Sequence, residues 1–264
     1  MSENLRCAGP VVMNLIDRPA TLGYRQLLKQ FTSLSFTYKC MNAFHLTKAE
    51  HALAALRNQR IKIARINELN DPFELYGAAL SEKGHRRRFR AFKDWTADRY
   101  GMLCFSRTWR NPVLWSHYAD HHRGIAIEFS LHADDVSKVT YTLRRPLIDV
   151  DSATRRGRFT QDEAFRLATT KFSHWKYEDE VRLFCQLQGA MVEGAHAFQP
   201  FTERLRLVGL ILGPACNVTS EEVAANLPVG MQVAVTRARL AFRTFDVVRN
   251  REHKVEFVCG VAQQ

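Results

Sequence analysis

Two carboxylates and a guanidinium lie close together in one stretch of the sequence, Lys171 to Cys185. Within it the run YEDEVRLF alternates between its two faces, which predicts an extended strand. On such a strand Glu178, Glu180 and Arg182 project from one face, just after Trp175. One carboxylate so placed can stabilise positive charge on a reacting group, while another moves a proton. We therefore predict an acidic catalytic site, with a salt-bridge ladder on a solvated edge strand as the alternative.

Hydrophobic periodicity along the rest of the chain predicts the elements that must position this stretch. Further strands are predicted over residues 34–40, 60–66, 101–106, 125–129, 138–143, 205–213, 233–236 and 242–248. Helices are predicted after a capping box that begins at Thr47, through the basic run 85–93, from Pro112 to a cap at Gly124, and over residues 161–173 and 221–227. This order predicts an α+β fold with a mixed or mainly antiparallel sheet and flanking helices.

The chain of 264 residues shows no internal repeat and no low-complexity linker. We expect one domain over residues 34–250, an N-terminal extension over residues 1–33 and a C-terminal tail over residues 251–264. No run approaches the roughly 18 to 20 apolar residues of a membrane span, and the N-terminal residues lack the pattern of a signal peptide. These features predict a cytoplasmic protein with no membrane partner.

The six cysteines form no CxxC pair and show no spacing typical of metal ligands. Cys40, Cys104 and Cys185 lie in apolar or strand-like runs, so we expect reduced thiols in the core. His117 and His121 have the four-residue spacing of a helical metal site, but no third ligand is evident. The sequence therefore predicts no metal site.

The net charge of +11 predicts attraction to anionic partners. Positive charge is concentrated in residues 85–93, 144–158 and 236–251. In the first of these runs Phe89 and Phe92 have helical spacing, which favours a helix with two core residues and a basic outer face; a nucleic-acid footprint is the alternative. We expect an anionic nucleotide as ligand, with nucleic acid as a further candidate partner.

The run Asn70-Asp71-Pro72-Phe73-Glu74 predicts a turn, because a residue before proline is forced out of the helical region. Asp71 is a candidate N-cap for a following helix. Asp71 and Glu74 are also candidates to reach into the end of the sheet. Both interpretations fit the sequence.

Several motifs, in this order, resemble the bacterial domain of unknown function numbered 2971, over roughly residues 36 to 248. The motifs are Tyr38-Lys39, Asn70-Asp71-Pro72-Phe73-Glu74, Cys104-Phe105-Ser106, Trp115-Ser116-His117-Tyr118-Ala119-Asp120, Gly124 with the strand after it, Trp175 to Arg182, and Leu212-Gly213-Pro214. That family has no settled activity, so the resemblance implies a fold and no reaction.

The same motifs are similar, more distantly, to ADP-ribosyltransferases. Those enzymes place a His or Arg on an early strand, a Ser or Tyr in the middle, and a Glu, often as Glu-x-Glu, on a late strand of a split sheet. In this chain the corresponding residues are Tyr38-Lys39, with Lys39 or alternatively His45 in the first position, then Ser106 with Tyr118, then Glu178 and Glu180.

The resemblance to ADP-ribosyltransferases implies NAD as the substrate. Glu180 would bind the ribose and stabilise its positive charge, Glu178 would orient or deprotonate the acceptor, and Tyr118 or Trp115 would stack on nicotinamide. The other residues expected to contact the dinucleotide are Asn70, Asp71, His117, Trp175 and Arg182. A toxin or phage-defence effector is the associated biological role.

Two other functions fit the sequence. In a metal-dependent nuclease, Asp71, Glu74 and the Glu178/Glu180 pair would converge on a divalent cation while the basic runs held nucleic acid. In a non-catalytic binding module for nucleotides or nucleic acid, Glu178, Glu180 and Arg182 would form a structural ladder. The first alternative requires the carboxylates to lie within a few ångströms of each other.

Overall fold

The computed structural model describes residues 39–75, 82–145, 148, 153 and 159–262. The strands are β1 (Cys40–Thr47), β2 (Arg60–Arg65), β3 (Tyr100–Ser106), β4 (Ile125–His132), β5 (Val136–Lys138), β6 (Thr140–Thr142), β7 (Thr170–Phe172), β8 (Glu180–Gln186), β9 (Met191–Glu193), β10 (His196–Pro200), β11 (Leu205–Leu212), β12 (Gln232–Leu240), β13 (Val247–Arg249) and β14 (Glu256–Cys259). The helices are α1 (Ala49–Asn58), α2 (Lys83–Arg99), α3 (Pro112–Tyr118), α4 (Gln161–Ala168) and α5 (Ser220–Ala225).

Twelve of these strands form one open mixed sheet, whose main path runs in the order β13-β12-β11-β4-β1-β3-β2-β10-β9. β8 joins the sheet beside β3 and β5, and β14 pairs with β12. Most pairs are antiparallel, β11 and β12 pair in parallel, and β6 and β7 form a separate parallel pair. The predicted α+β class with flanking helices is confirmed.

The centre of the sheet is β4, which lies between β1 and β11. Ile125, Ile127, Phe129 and Leu131 share one face of β4 and are completely buried, and Ala126 on the opposite face is completely buried as well. This is expected for a strand that is covered on both faces. Helix α1 contributes its buried residues Ala52 and Leu56 to the same core.

The sheet divides around β3. On one side β3 pairs with β8 over its whole length, from Tyr100 to Ser106. On the other side β2 pairs with its first half, through Gly101 and Met102, and β1 meets only its last residue, Ser106. Because β1 and β2 diverge between these points, the middle of β3 lacks a strand neighbour on this side, and a space opens there.

Several predicted boundaries are wrong in detail. Thr47 ends β1 and caps no helix, since Lys48 precedes α1 without a side-chain cap. The prediction of a strand over residues 34–40 falls mostly outside the described residues, and the strand that is present begins at Cys40. α5 is capped by Thr219, one residue before the predicted Ser220. Each error displaces a boundary and keeps the element type.

Gly124 does not end a long helix, because α3 ends at Tyr118. Asp120, His121 and His122 follow with positive φ, so His117 and His121 do not share a helical face. A Cβ at Gly124 would lie 2.2 Å from the carbonyl oxygen of Thr47, so glycine is required here for close approach of two backbones.

The described cysteines Cys40, Cys104, Cys185, Cys216 and Cys259 are all free thiols. Cys185 is buried and Cys104 is partly exposed, but Cys40 is exposed, so the prediction of a core thiol is wrong for Cys40. It begins β1 at the margin of the sheet. Within the predicted C-terminal tail, Glu256–Cys259 forms β14. Among the described residues, no helix has both the length and the apolar character that a membrane crossing requires.

Candidate functional site

The space between the diverging strands β1 and β2 is a cavity of about 210 Å³, here called the carboxylate cavity. Its apolar walls come mainly from β1, β3 and α3, and its polar groups from several other segments. The lining residues are Phe44, His45, Leu46, Lys62, Ala64, Glu68, Leu69, Asn70, Glu74, Met102, Leu103, Cys104, Phe105, Ser106, Leu114, Tyr118, Lys171, Glu178 and Glu180. Both acids predicted as catalytic therefore face one cavity.

The segment around Asp179 directs both acids into the cavity, but its backbone conformation differs from the continuous strand that the alternating pattern predicted. Residues Ser173–Glu178 form a 3-10 helix, Asp179 is left-handed with φ 45°, and β8 begins only at Glu180. The prediction of a continuous strand through Glu178 is therefore wrong. The Asp179 side chain pairs with Arg107 on the outside, and Asp is one of the few residues that tolerate this conformation.

Lys171 lies at the centre of the buried charges. Its Nζ is 2.6 Å from Glu178 Oε2, 3.2 Å from Glu180 Oε2 and 3.4 Å from Glu74 Oε1. Lys171 belongs to β7, in a stretch for which a helix was predicted. The same ammonium lies 4.9 Å from the centre of the Trp175 ring, a cation–π contact that adds to its stabilisation.

Arg182 bonds to two of the three carboxylates, Glu74 and Glu180. Nη1 and Nη2 donate to the two oxygens of Glu74 at 3.0 and 2.6 Å, and Nε and Nη2 donate to Glu180 at 2.8 and 3.1 Å. Nη1 also donates to the carbonyl of Ala168 at 2.7 Å. All five N–H groups of the guanidinium thus have acceptors, which is what full burial of this side chain requires.

The network contains three carboxylates and two cations, and the pKa values of the two acids of the predicted site are shifted in opposite directions within it. Burial opposes ionisation of Glu180, but the charges of Arg182 and Lys171 prevail and lower its pKa to about 2. At Glu178 burial prevails over the charge of Lys171 and raises the pKa. Glu180 is therefore the more acidic member of the pair, and Glu178 is the stronger base.

Tyr118, the last residue of α3, donates its hydroxyl hydrogen to Glu178 Oε1. Burial and the nearby carboxylate raise the pKa of Tyr118 well above its ordinary value, so it remains a neutral donor. The hydroxyl of Tyr141 accepts a hydrogen bond from the backbone N–H of Glu180 at 2.9 Å, and burial raises its pKa to about 12.

His45 fills part of the gap beside β3. Its Nδ1 lies 3.1 Å from the carbonyl oxygen of Cys104, and since a carbonyl only accepts, Nδ1 carries the hydrogen and Nε2 is left as an acceptor. Burial lowers the pKa of His45, which favours the neutral imidazole. His45 lines the cavity, whereas Lys39 is exposed before β1, and Tyr38 lies outside the described residues.

Ser106 and Asn70 also line the cavity. Ser106 Oγ donates to the carbonyl of Glu178 at 2.6 Å, so it positions the segment that carries this acid. Asp71 is buried, but its Oδ1 accepts from the N–H of Phe73 at 2.9 Å and it lines a different pocket. Asp71 therefore holds the turn that places Glu74.

Three aromatic residues of the predicted site lie outside the cavity lining. Trp115 is completely buried in a hydrophobic cluster, where its Nε1 donates to the carbonyl of Trp109 at 2.6 Å. This position does not fit a stacking role. His117 Nδ1 lies 2.9 Å from the hydroxyl of Tyr177, and the ring centres of His117 and Trp175 are 6.2 Å apart, so both belong to an aromatic cluster next to the 3-10 helix.

The carboxylates Glu74, Glu178 and Glu180 converge as a metal-dependent nuclease would require, but the ammonium of Lys171 occupies the point at which they meet. Asp71, which the same hypothesis included, is directed elsewhere. Within the described ranges, no group of three or more His, Cys, Asp and Glu side chains is arranged to hold a metal ion.

The sequence pattern did not reveal the role of Lys171, and it favoured Lys39 over His45 for the first position of the site. The signal for Lys171 was its position at the start of the acidic stretch, but the helical pattern of residues 161–170 extended over it in the prediction.

In comparisons with known proteins, no family model matches the chain, no curated protein matches its sequence, and no solved structure matches its fold.

Proposed function

We propose that the protein is an NAD-dependent ADP-ribosyltransferase-like enzyme, with Glu180 as the carboxylate beside the reacting ribose. The observation that carries the proposal is that Glu178 and Glu180 line one cavity together with Tyr118 and His45. Their surroundings move the pKa values of the two acids in opposite directions. In enzymes that act on glycosidic bonds, two acids whose pKa values are moved apart take different roles: one transfers protons and the other stabilises charge.

The proposed step breaks the bond between nicotinamide and C1′ of the ribose. Nicotinamide leaves with the bonding electrons, and positive charge develops at C1′ and the ring oxygen. The ionised Glu180 stabilises that charge. A nucleophilic O–H or N–H group of the acceptor then attacks C1′, and Glu178, in its ionised form, takes the proton that this group loses.

The positions of three lining residues along the chain support the assignment. His45 on the early strand β1, Tyr118 in the middle of the chain and Glu180 on the late strand β8 line one cavity, in the order that the resemblance to ADP-ribosyltransferases implies. Phe44, Leu46, Phe105 and Leu114 provide apolar walls for a nicotinamide ring.

The size of the cavity also agrees with the proposal. Its 210 Å³ is below the range of about 300–1,000 Å³ that is typical of complete ligand sites, so it suits one end of a dinucleotide. Lys62, an exposed lining residue whose Nζ lies 3.3 Å from Glu68, offers a cation to the diphosphate of NAD. Attraction by the positive net charge of the chain favours the approach of such an anion.

The test is incubation of the full chain with NAD that carries a label on the adenylate phosphate, in a cell lysate that supplies acceptors. We expect release of nicotinamide and transfer of label to a macromolecule. Glu180→Gln should lower the rate at least about 100-fold, because the charge that stabilises the ribose is removed. Glu203→Gln changes an exposed glutamate in the same way and should have no effect.

Glu180→Gln also disturbs the network around Lys171 and Arg182, so folding must be checked separately by circular dichroism. Tyr118→Phe is the gentler variant: it removes one donor to Glu178 and should lower the rate while the protein stays folded. If the wild-type chain releases no nicotinamide, and both variants change only the melting temperature, the cavity belongs to a binding module without chemistry.

A further inference from the structure

A second concave surface, of about 520 Å³, lies beside the β12–β13 hairpin and shares no lining residue with the carboxylate cavity. We call it the arginine groove. Its charged lining residues are Arg110, Arg239, Arg243, Arg249 and Arg251, and its described lining contains no carboxylate.

The guanidinium groups of the arginine groove differ in what they already bind. Arg110 lies 3.4 Å from Asp246, and Arg239 donates to the carbonyl of Leu240 at 2.8 Å. Arg243, Arg249 and Arg251 are exposed, and no carboxylate of the described residues forms an ion pair with them. Three like charges on one surface repel each other, so an anion bound among them is stabilised.

Two exposed phenylalanines lie in the loop between β12 and β13, and one of them, Phe242, lines the groove. Phe242 is 86% exposed and Phe245 is 98% exposed. The guanidinium carbon of Arg239 lies 4.1 Å from the centre of the Phe242 ring, so an arginine covers part of this ring while most of it remains accessible. An accessible aromatic ring next to arginines is the arrangement on which unpaired bases stack.

The backbone holds this arrangement in place. The loop that carries both rings is closed by a hydrogen bond from the N–H of Ala241 to the carbonyl of Asp246 at 2.9 Å. The N–H of Val247 donates to the carbonyl of Arg110 at 2.7 Å, which ties the hairpin to the segment before α3. These two bonds fix the backbone from which the side chains of the groove project.

We propose that the arginine groove binds single-stranded nucleic acid, with Arg243, Arg249 and Arg251 on the phosphates and Phe242 stacked on a base. An acidic peptide would satisfy the arginines but would leave the rings in water. An anionic membrane would engage both the arginines and the rings. A bilayer, however, contacts the protruding parts of a protein, whereas these arginines line a concave surface. Only an unpaired strand offers phosphates and flat apolar rings at alternating positions.

The test is fluorescence anisotropy of the full chain with labelled twelve-nucleotide oligo(dT) and oligo(U), over a range of salt concentrations. We expect binding that weakens as salt rises, because each phosphate contact on a single strand contributes about −0.7 to the slope of log K against log salt. The double variant Arg243→Ala/Arg249→Ala should bind more weakly, with a slope that is smaller in magnitude by about 1.4.

Phe242→Ala should weaken binding about tenfold and leave the salt slope unchanged, because it removes stacking and no charge. Phe257→Ala is the matched control, since Phe257 is 70% exposed on β14 and lies outside the groove. Arg87→Ala/Arg88→Ala removes the same charge from the exposed face of α2. Both controls should keep wild-type affinity.

The proposal is overturned if the α2 variant loses binding while the groove variant does not. It is also overturned if duplex DNA binds better than either single strand, or if the chain binds phosphatidylserine vesicles and neither oligonucleotide. The binding experiment contains no NAD and the groove shares no lining residue with the carboxylate cavity, so its result is independent of whether NAD is a substrate.

Discussion

Beside the carboxylate cavity five charged side chains are buried and bonded to each other, whereas in the arginine groove five guanidinium groups line a surface that is open to solvent. Removing an ion from water costs several kcal/mol, so each buried charge needs a partner of opposite sign. An exposed charge is solvated and keeps its capacity to bind. The comparison shows that burial makes charged side chains depend on each other, whereas exposure leaves them independent.

The largest effect should come from Arg182→Met. It removes one of the two cations that pair with the buried Glu74 and Glu180 and leaves only Lys171 beside them, and we expect a loss of about 3–5 kcal/mol in the free energy of unfolding. Urea denaturation followed by circular dichroism measures it. A loss below 1 kcal/mol would mean that the buried charges do not depend on each other.

The comparison also predicts a dependence on pH that is specific to the cavity. The pKa of Glu180 is lowered from 4.5 to about 2, so the unfolded chain binds a proton at this residue before the folded chain does. The stabilisation by Glu180 is present above pH 4.5 and is lost as the pH falls towards 2. At about 1.4 kcal/mol per unit, the loss is at most roughly 3 kcal/mol.

Unfolding in urea at pH 5 and pH 3 tests this dependence. The wild type should lose more stability between the two values than Glu180→Gln does, because glutamine has no proton to gain. Equal losses in the two proteins would show that other groups dominate acid unfolding, and that Glu180 is not held in its ionised form by the network.

The smallest effect on stability is expected in the groove. Arg243→Ala/Arg249→Ala removes two exposed cations that have no ion-pair partner among the described residues, and the free energy of unfolding should change by no more than about 0.5 kcal/mol. A thermal melt at low salt measures it. A loss comparable to that of Arg182→Met would show that these arginines stabilise the fold, and the contrast between the two regions would then not hold.

Local patterns predicted much of the fold. The strand over 60–66 is present as Arg60–Arg65, that over 101–106 as Tyr100–Ser106, and that over 205–213 as Leu205–Leu212. The basic run 85–93 lies in α2, and Phe89 is completely buried there, as its helical spacing predicted. Periodicity succeeds in these segments because burial on one face is encoded within a few neighbouring residues.

The predictions fail where contacts with distant parts of the chain set the conformation of a segment. Asp179 is left-handed because its surroundings hold it: its carbonyl accepts from the N–H of Arg107, and its side chain pairs with the same residue. Lys171 is a strand residue because β7 pairs with β6. Neither partner is visible in a window around the residue itself.

The sequence by itself determined the class of the fold, most of its strands, and the pair of acids most suited to chemistry. Only the tertiary structure decided that Glu178 and Glu180 share a cavity with Tyr118 and His45, that Lys171 lies between the acids, and that Trp115 belongs to the core. The reason is physical: alternation is a local property, but the cost of a buried charge is set by partners such as Glu74 and Arg182, which lie 108 residues apart in the chain.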